Sequence, residues 1–402
     1  MAKKKNYKKT VRKVAKAASK MPTGALIAII VVVILVIGIG AAFVLLKPDL
    51  IKNLINPETS QNVNSSSEEN KRSSRPTTSY APGEVAPIDI NFLELGNKYT
   101  GDSTFIKAGD VDILIDAGSR QNSAAAIKGF VDTYCEDGVL EYVIATHAHQ
   151  DHIAGFVGSN AAPGIFNSYK IDTLIDFSLT NASSTIYNNY VSLRDQKIAS
   201  GDIAHHYQAH ECIAETNGAK RTYELTAGIT MEILDQKFYR EKTSDENDYS
   251  VCALFSQGNS HYLFTGDLEK DGEASLVELN NLPEVNLFKG GHHGSYTANT
   301  DTLLSVIKPK TVCICCCAGS TEYTTNLNNT FPAQAAIDRI GKYTDEVYVT
   351  TVANDSSIGY ESMNGTINYH SDNGETYLVT GSNNSLKLKE TEWFKNNRTW
   401  PS

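Results

Sequence analysis

Between Ile88 and Tyr369 the chain alternates short apolar runs with polar breaks at the spacing of strands and interleaved helices. IDINFLEL, STFIKA and VDILIDAG read as strands, Ser123 to Tyr134 as a helix, and LEYVIATHAHQDH as a strand running into a polar turn. Further along, TMEILD, SVCALFSQ, HYLFTGDL, VNLFKGGHHGS, KTVCICCC and EVYVTT read as strands. EASLVELNN and the stretch from Pro332 to Ile340 read as helices between them. Strands lead, helices interleave, and polar residues gather where strands end, so the pattern predicts a sheet-rich α/β layered domain over residues 88–385.

A different pattern precedes it. Gly24 to Leu46 contains no charge over 23 residues, which at about 1.5 Å per residue spans a hydrocarbon core of about 30 Å. It predicts a transmembrane helix, because it is longer than a signal-peptide core and no small-x-small cleavage site follows. Residues 47–87, rich in Asn, Ser, Thr, Pro and Glu, show no hydrophobic period and read as a disordered linker.

Charge sharpens this division. Ten of the 36 Lys and Arg lie in residues 1–47, which hold no Asp or Glu, so the remainder carries 26 basic and 46 acidic residues, net −20. The lysines of the basic tail, residues 1–23, predict a cytoplasmic N-terminus by the positive-inside rule. The expected arrangement is a single pass through the plasma membrane, with the lipid bilayer met by residues 24–46 and the large domain outside. An acidic domain also argues against nucleic-acid binding driven by a basic surface.

Seven cysteines leave at least one unpaired. Cys313, Cys315, Cys316 and Cys317 lie in one apolar strand, where neighbours point to opposite faces, and read as small buried hydrophobes. Trp393, Phe394 and Trp400, in a C-terminal extension over 386–402, read as a cap on the domain.

The strongest chemical signal is Thr146-His147-Ala148-His149-Gln150-Asp151-His152, directly after an apolar strand. Three imidazoles and a carboxylate at this density can supply ligands to two adjacent divalent metals. Asp267, in Phe-Thr-Gly-Asp, and the pair His292 and His293, in Lys-Gly-Gly-His-His-Gly-Ser, stand at the ends of two more apolar strands. His205, His206 and His210 could form a metal site on chemistry alone, but their polar setting reads as a solvent-facing helix.

Taken together, GDSTFIKAGDVDILIDAG, ATHAHQDHIAG, NDYSVCALF, YLFTGDLE, KGGHHGS and KPKTVCI resemble the metallo-β-lactamase superfamily, in particular the hydrolase domain of ComEC-type competence proteins. The resemblance implies an αββα sandwich with a two-metal site, Zn²⁺ or Mn²⁺, along one edge. His147 and His149 would hold one metal, Asp151 and His152 the other, and Asp267 would bridge them. One of His292 and His293 would complete the second site while the other meets substrate oxygen, and Asp116 would support the cluster from behind.

One departure stands out. The superfamily's further histidine, between the first cluster and the bridging aspartate, is missing here, where the chain reads Asp245-Glu246-Asn247-Asp248-Tyr249-Ser250. Asn247 or Asp248 is the candidate oxygen donor in its place. The implied activity is hydrolysis by a metal-bridging hydroxide, with a phosphodiester the expected substrate. The alternatives are an extracellular nuclease linked to DNA uptake, a phosphorylcholine-esterase-like envelope enzyme, and a non-catalytic surface binding module.

Overall fold

The computed structural model describes residues 78–401. The predicted transmembrane helix and basic tail lie outside the described residues. Among the described residues no helix is long and apolar enough to cross a membrane.

The first half of the chain forms strands β1 (Ile88–Phe92), β2 (Thr104–Ala108), β3 (Val111–Ile115), β4 (Val139–Ile144), β5 (Lys170–Asp176) and β6 (Ile203–Gln208). The second half forms β7 (Thr222–Thr226), β8 (Ile229–Leu234), β9 (Cys252–Gln257), β10 (Ser260–Phe264), β11 (Leu287–Lys289), β12 (Thr311–Ala318), β13 (Val347–Ala353) and β14 (Tyr360–Ser362). Strands β15 (Ile367–Ser371) and β16 (Leu378–Gly381) then return to the first group. Two eight-stranded sheets result, ordered β16-β15-β1-β2-β3-β4-β5-β6 and β14-β13-β12-β11-β10-β9-β8-β7.

Helices α1 (Ser123–Val131), α2 (Gln150–Val157), α3 (Ile165–Ser168), α4 (Thr185–Ser200) and α5 (Ala209–Ala214) belong to the first half. Helices α6 (Lys270–Leu279), α7 (Asp301–Ile307), α8 (Gln334–Ile340) and α9 (Glu392–Asn397) belong to the second. Side chains of β1, β2, β9 and β10 meet in one large buried cluster that also takes in Ile127, Ile153 and Phe156 from α1 and α2. A second cluster joins Phe288, Val312 and Ile314 to Leu303, Leu304 and Ile337 of α7 and α8. The layers are therefore helix, sheet, sheet, helix, as expected.

Alternation along β12 sorts its cysteines between these clusters. Cys313 and Cys315 face the larger one, while Ile314 and Cys316 face the helices. All seven cysteines are free and buried, and burial pushes the Cys212 thiol up to about 11.

Strands β3 to β6 run parallel, as do β10 to β13. Ile115 pairs with Ile144, and Ile144 with Ile175, so the carboxyl ends of β3, β4 and β5 are level. Such an edge is where open α/β sheets present ligand-binding loops. Because β2 is antiparallel to β3, the residues just before β2 reach the same edge.

Two expectations change. The stretch with His205 and His206 is not a helix but edge strand β6, because Ile203 and Tyr207 extend the parallel ladder beside Ile171 and Ile175. The folded part begins before Ile88, since Ala86 is wholly buried and its amide donates to the carbonyl of Ala227 at 2.8 Å. At the other end, in keeping with the cap read from the sequence, Phe394 is buried in the second cluster and Trp393 and Trp400 pack against it. Arg398 donates to the carbonyls of Pro332 at 3.0 Å and Thr330 at 2.8 Å.

Candidate metal centre

The segment after β4 turns sharply into α2, with His149 extended just before the helix and Asp151 in its first turn, where the helix dipole favours a carboxylate. Close packing fixes that turn. A Cβ on Gly118 would fall 1.4 Å from the carbonyl oxygen of Asp151, so only glycine lets the β3 loop lie against it. Glu246, itself buried, accepts from the amide of Ala148 at 3.3 Å and holds the loop between His147 and His149.

The structure brings Asp151, His152, Asp267 and His293 together. Nε2 of His152 and Nε2 of His293 each lie 3.1 Å from Oδ2 of Asp267, and Nε2 of His293 is 3.4 Å from Oδ2 of Asp151. Both nitrogens are buried without a hydrogen bond. Buried polar atoms are normally satisfied. Two imidazole nitrogens that converge on shared carboxylate oxygens, with protons between them in the metal-free chain, are a donor set that a divalent cation would satisfy by displacing those protons.

The far sides of these rings are held. Oδ2 of Asp116 lies 2.7 Å from Nδ1 of His152, and Asp116 also accepts from the amide of Thr146 at 2.8 Å and its hydroxyl at 2.7 Å. Nδ1 of His293 is 2.9 Å from the carbonyl of Cys315 and 3.4 Å from Oδ1 of Asp102. Asp116 thus stands behind the cluster, on the outer nitrogen of His152.

His147 and His149 form a second group, with Nε2 of His147 3.0 Å from Nδ1 of His149. The hydroxyls of Thr146 and Ser250 lie 3.1 and 3.4 Å from Nδ1 of His147, and Ser250 also accepts from the amide of Asp267 at 3.1 Å. His292 differs from His293. It is less buried, its Nδ1 lies 3.1 Å from Oε1 of Glu269, and its Nε2 is 3.8 Å from Oδ2 of Asp267. Both histidines adopt left-handed backbone, with φ of 46° and 55°, an uncommon conformation for such residues that aims both rings toward one aspartate.

Asn247 donates to Glu269 at 3.3 Å, and its buried Oδ1 has no partner. Asp248 instead accepts from the amide of Glu269 at 3.2 Å, at the start of α6. The remaining histidines stand apart from this group: His206 pairs with Asp176 at 3.0 Å and His210 with Ser178 at 3.1 Å.

Lys289, Asp102, Ser250, Glu269 and Tyr323 are site residues that reading the sequence did not single out. Lys289, only 3 % exposed, forms an ion pair with Asp102, lies 3.4 Å from Oδ1 of Asp267 and donates to the carbonyl of Gly266 at 3.0 Å. A lysine ending an otherwise apolar strand was a readable signal, because buried lysines are rare unless paired.

The electrostatics follow from this crowding. Burial alone would push the His152 imidazole down, but Asp267 and Asp116 on either side raise it to about 10. Burial would likewise raise Asp267, yet His152, His293 and Lys289 hold it well below the usual carboxylate range. His147 goes the other way, lowered by burial and by His152 and His149, which favours the neutral, metal-binding imidazole.

Residues 96–159 match the family model of the metallo-beta-lactamase superfamily, and the two facing sheets give this chain the α/β metallo-beta-lactamase fold. The chain is similar to ComE operon protein 3 of Bacillus subtilis (strain 168), 24% identical over 254 residues that cover 58% of this chain and 28% of that protein. It is similar also to Recombination protein 2 of Haemophilus influenzae, 24% identical over 273 residues that cover 67% of this chain and 29% of the relative. The chain thus spans less than a third of the length of either relative. Among solved structures, the metallo-beta-lactamase fold protein YhfI from Bacillus subtilis aligns over 67% of this chain and 98% of its own, at 13% identity and a TM-score of 0.36.

Proposed function

We propose that this chain is a metal-dependent hydrolase, specifically a phosphodiesterase, anchored by residues 24–46 with its domain on the outer side of the membrane. The convergence of His152 and His293 on Oδ2 of Asp267, beside Asp151, carries the reading. Asp151, His152, Asp267 and His293 would hold one divalent ion. His147 and His149, with Oδ1 of Asn247 as a candidate oxygen donor, would hold another against Asp267. Bound there, divalent ions supply a hydroxide at neutral pH and offset negative charge at the reacting phosphorus.

The chain's own residues fix the donors in advance. Asp116 and the carbonyl of Cys315 orient two imidazoles through their outer nitrogens. Lys289 occupies Oδ1 of Asp267 and leaves Oδ2 to face the histidines. His292, partly exposed and held by Glu269, would meet substrate oxygen.

The test uses the full chain, purified in detergent, with Mn²⁺ or Zn²⁺ on bis(p-nitrophenyl) phosphate, p-nitrophenyl phosphorylcholine and single-stranded DNA. Cleavage of the small diesters, lost in His149→Ala, is the expected result. Wild type and variant that bind metal alike and are equally inert would overturn it. The DNA arm matters because one relative is named a recombination protein, while the net −20 after Lys47 opposes a polyanion. Protease added to intact cells should remove the domain; protection would overturn the outward orientation.

Metal uptake should also depend on pH. His152 is raised to about 10, so in the metal-free protein it holds a proton that a metal must displace. Apparent affinity is expected to rise with pH up to about 10, with proton release visible by calorimetry in buffers of different ionisation enthalpy. Affinity that is flat in pH would contradict this.

A further inference from the structure

The segment Gly319–Phe331 carries Ser, Thr and Asn at most positions, the composition of a solvent-facing loop, and its stretch from Thr325 to Asn328 is exposed. Its base is nevertheless closed: the amide of Gly319 donates to the carbonyl of Phe331 at 2.8 Å, and Arg398 holds Thr330 from below. Midway, Glu322 forms an ion pair with Arg120 and accepts from the amide of Thr100 at 3.1 Å, two residues before Asp102. The loop is therefore tied to the wall of the metal centre by contacts on both sides of Tyr323.

Tyr323 is 51 % exposed, yet its hydroxyl donates to Oδ2 of Asp151 at 2.8 Å. That oxygen is the one that faces Nε2 of His293. The phenol ring packs at 5.6 Å on Phe331, which packs in turn on His292 at 5.7 Å and His293 at 5.6 Å. A tyrosine with one face in solvent would gain nothing by reaching inward unless its hydroxyl had a fixed partner, and this aromatic stack sets the ring where the partner is.

We propose that Tyr323 is a positioning residue of the metal centre, whose hydroxyl holds Oδ2 of Asp151 in the orientation that binds the ion. The proposal rests on the reading that Asp151, His152, Asp267 and His293 hold a metal. It adds a requirement: a donor in a surface loop, far along the chain from the histidine cluster, sets how tightly that metal is kept. Partners of this kind are worth about tenfold to a hundredfold in metal affinity.

The experiment compares full-length wild type, Tyr323→Phe and, as a control in the same loop, Thr321→Ala, each stripped of metal and titrated calorimetrically with Mn²⁺ and with Zn²⁺. Tyr323→Phe should bind at least one equivalent about tenfold more weakly, with the thermal melt of the metal-free chain unchanged and the activity returning at saturating metal. Thr321→Ala should match wild type. Equal affinity in Tyr323→Phe and wild type would overturn the proposal alone, as would equal weakening by both substitutions, which would assign the effect to the loop and not to the phenol. A wild-type chain that takes up no metal would overturn the metal-centre reading itself.

Discussion

Asp267→Asn is expected to cut hydrolysis by about a thousandfold while leaving the sandwich folded. Oδ2 of Asp267 is the atom on which His152 and His293 converge, and His292 lies 3.8 Å from it. Asparagine keeps the shape but removes the charge, and it places an amide N–H₂ or a weaker carbonyl donor where the cation would sit. Charge stabilisation by bound metal is worth several kcal/mol in such reactions, and at about 1.4 kcal/mol per tenfold a loss of about a thousandfold in kcat follows. Metal content by elemental analysis should fall with it. A variant with full metal content and near wild-type turnover would show that Asp267 is not shared between the donors.

Lys289→Met should have the largest effect on stability. The ammonium lies between Asp102 and Asp267, and all three groups are almost wholly buried. Methionine fills much the same space but takes from Asp102 its ammonium partner, leaving the more distant ring of His293 beside it. Breaking a buried pair from one side costs about 3–5 kcal/mol, so the metal-free variant should unfold at a markedly lower denaturant concentration than wild type. Added metal should recover part of the loss, because a ligand that binds only the folded state stabilises it by mass action. A change below about 1 kcal/mol, the range of an exposed ion pair, would mean that the lysine is dispensable.

Much of the site was legible because local sequence carries it. His147, His149, Asp151 and His152 follow one apolar strand, and Asp116, Asp267 and His293 each follow another; a strand buried on both faces must show its polar residues at its end. The layered fold could be read for the same reason. Choosing between His292 and His293 needed the backbone, because only the pair of left-handed residues decides which ring turns toward Asp151. Asp102 lies within the run GDSTFIKAGDVDILIDAG, but nothing in the run marks it as a partner of Lys289, and Tyr323 belongs to no motif. Asp102 arrives through the antiparallel reversal between β2 and β3, and Tyr323 through a loop far from the histidine cluster, so tertiary geometry alone unites them. The misread segment was β6, whose His205, His206 and Tyr207 show no clean alternation; it is an edge strand with one side in solvent, where polar residues cost little.

The division of the site residues between two sheets bears on when the site can assemble during synthesis. Asp116, Asp151 and His152 emerge from the ribosome with the first sheet, while Asp267, Lys289 and His293 follow more than a hundred residues later. No early fragment can assemble the whole constellation. A nascent chain would therefore lack the full donor set until the second sheet has been made.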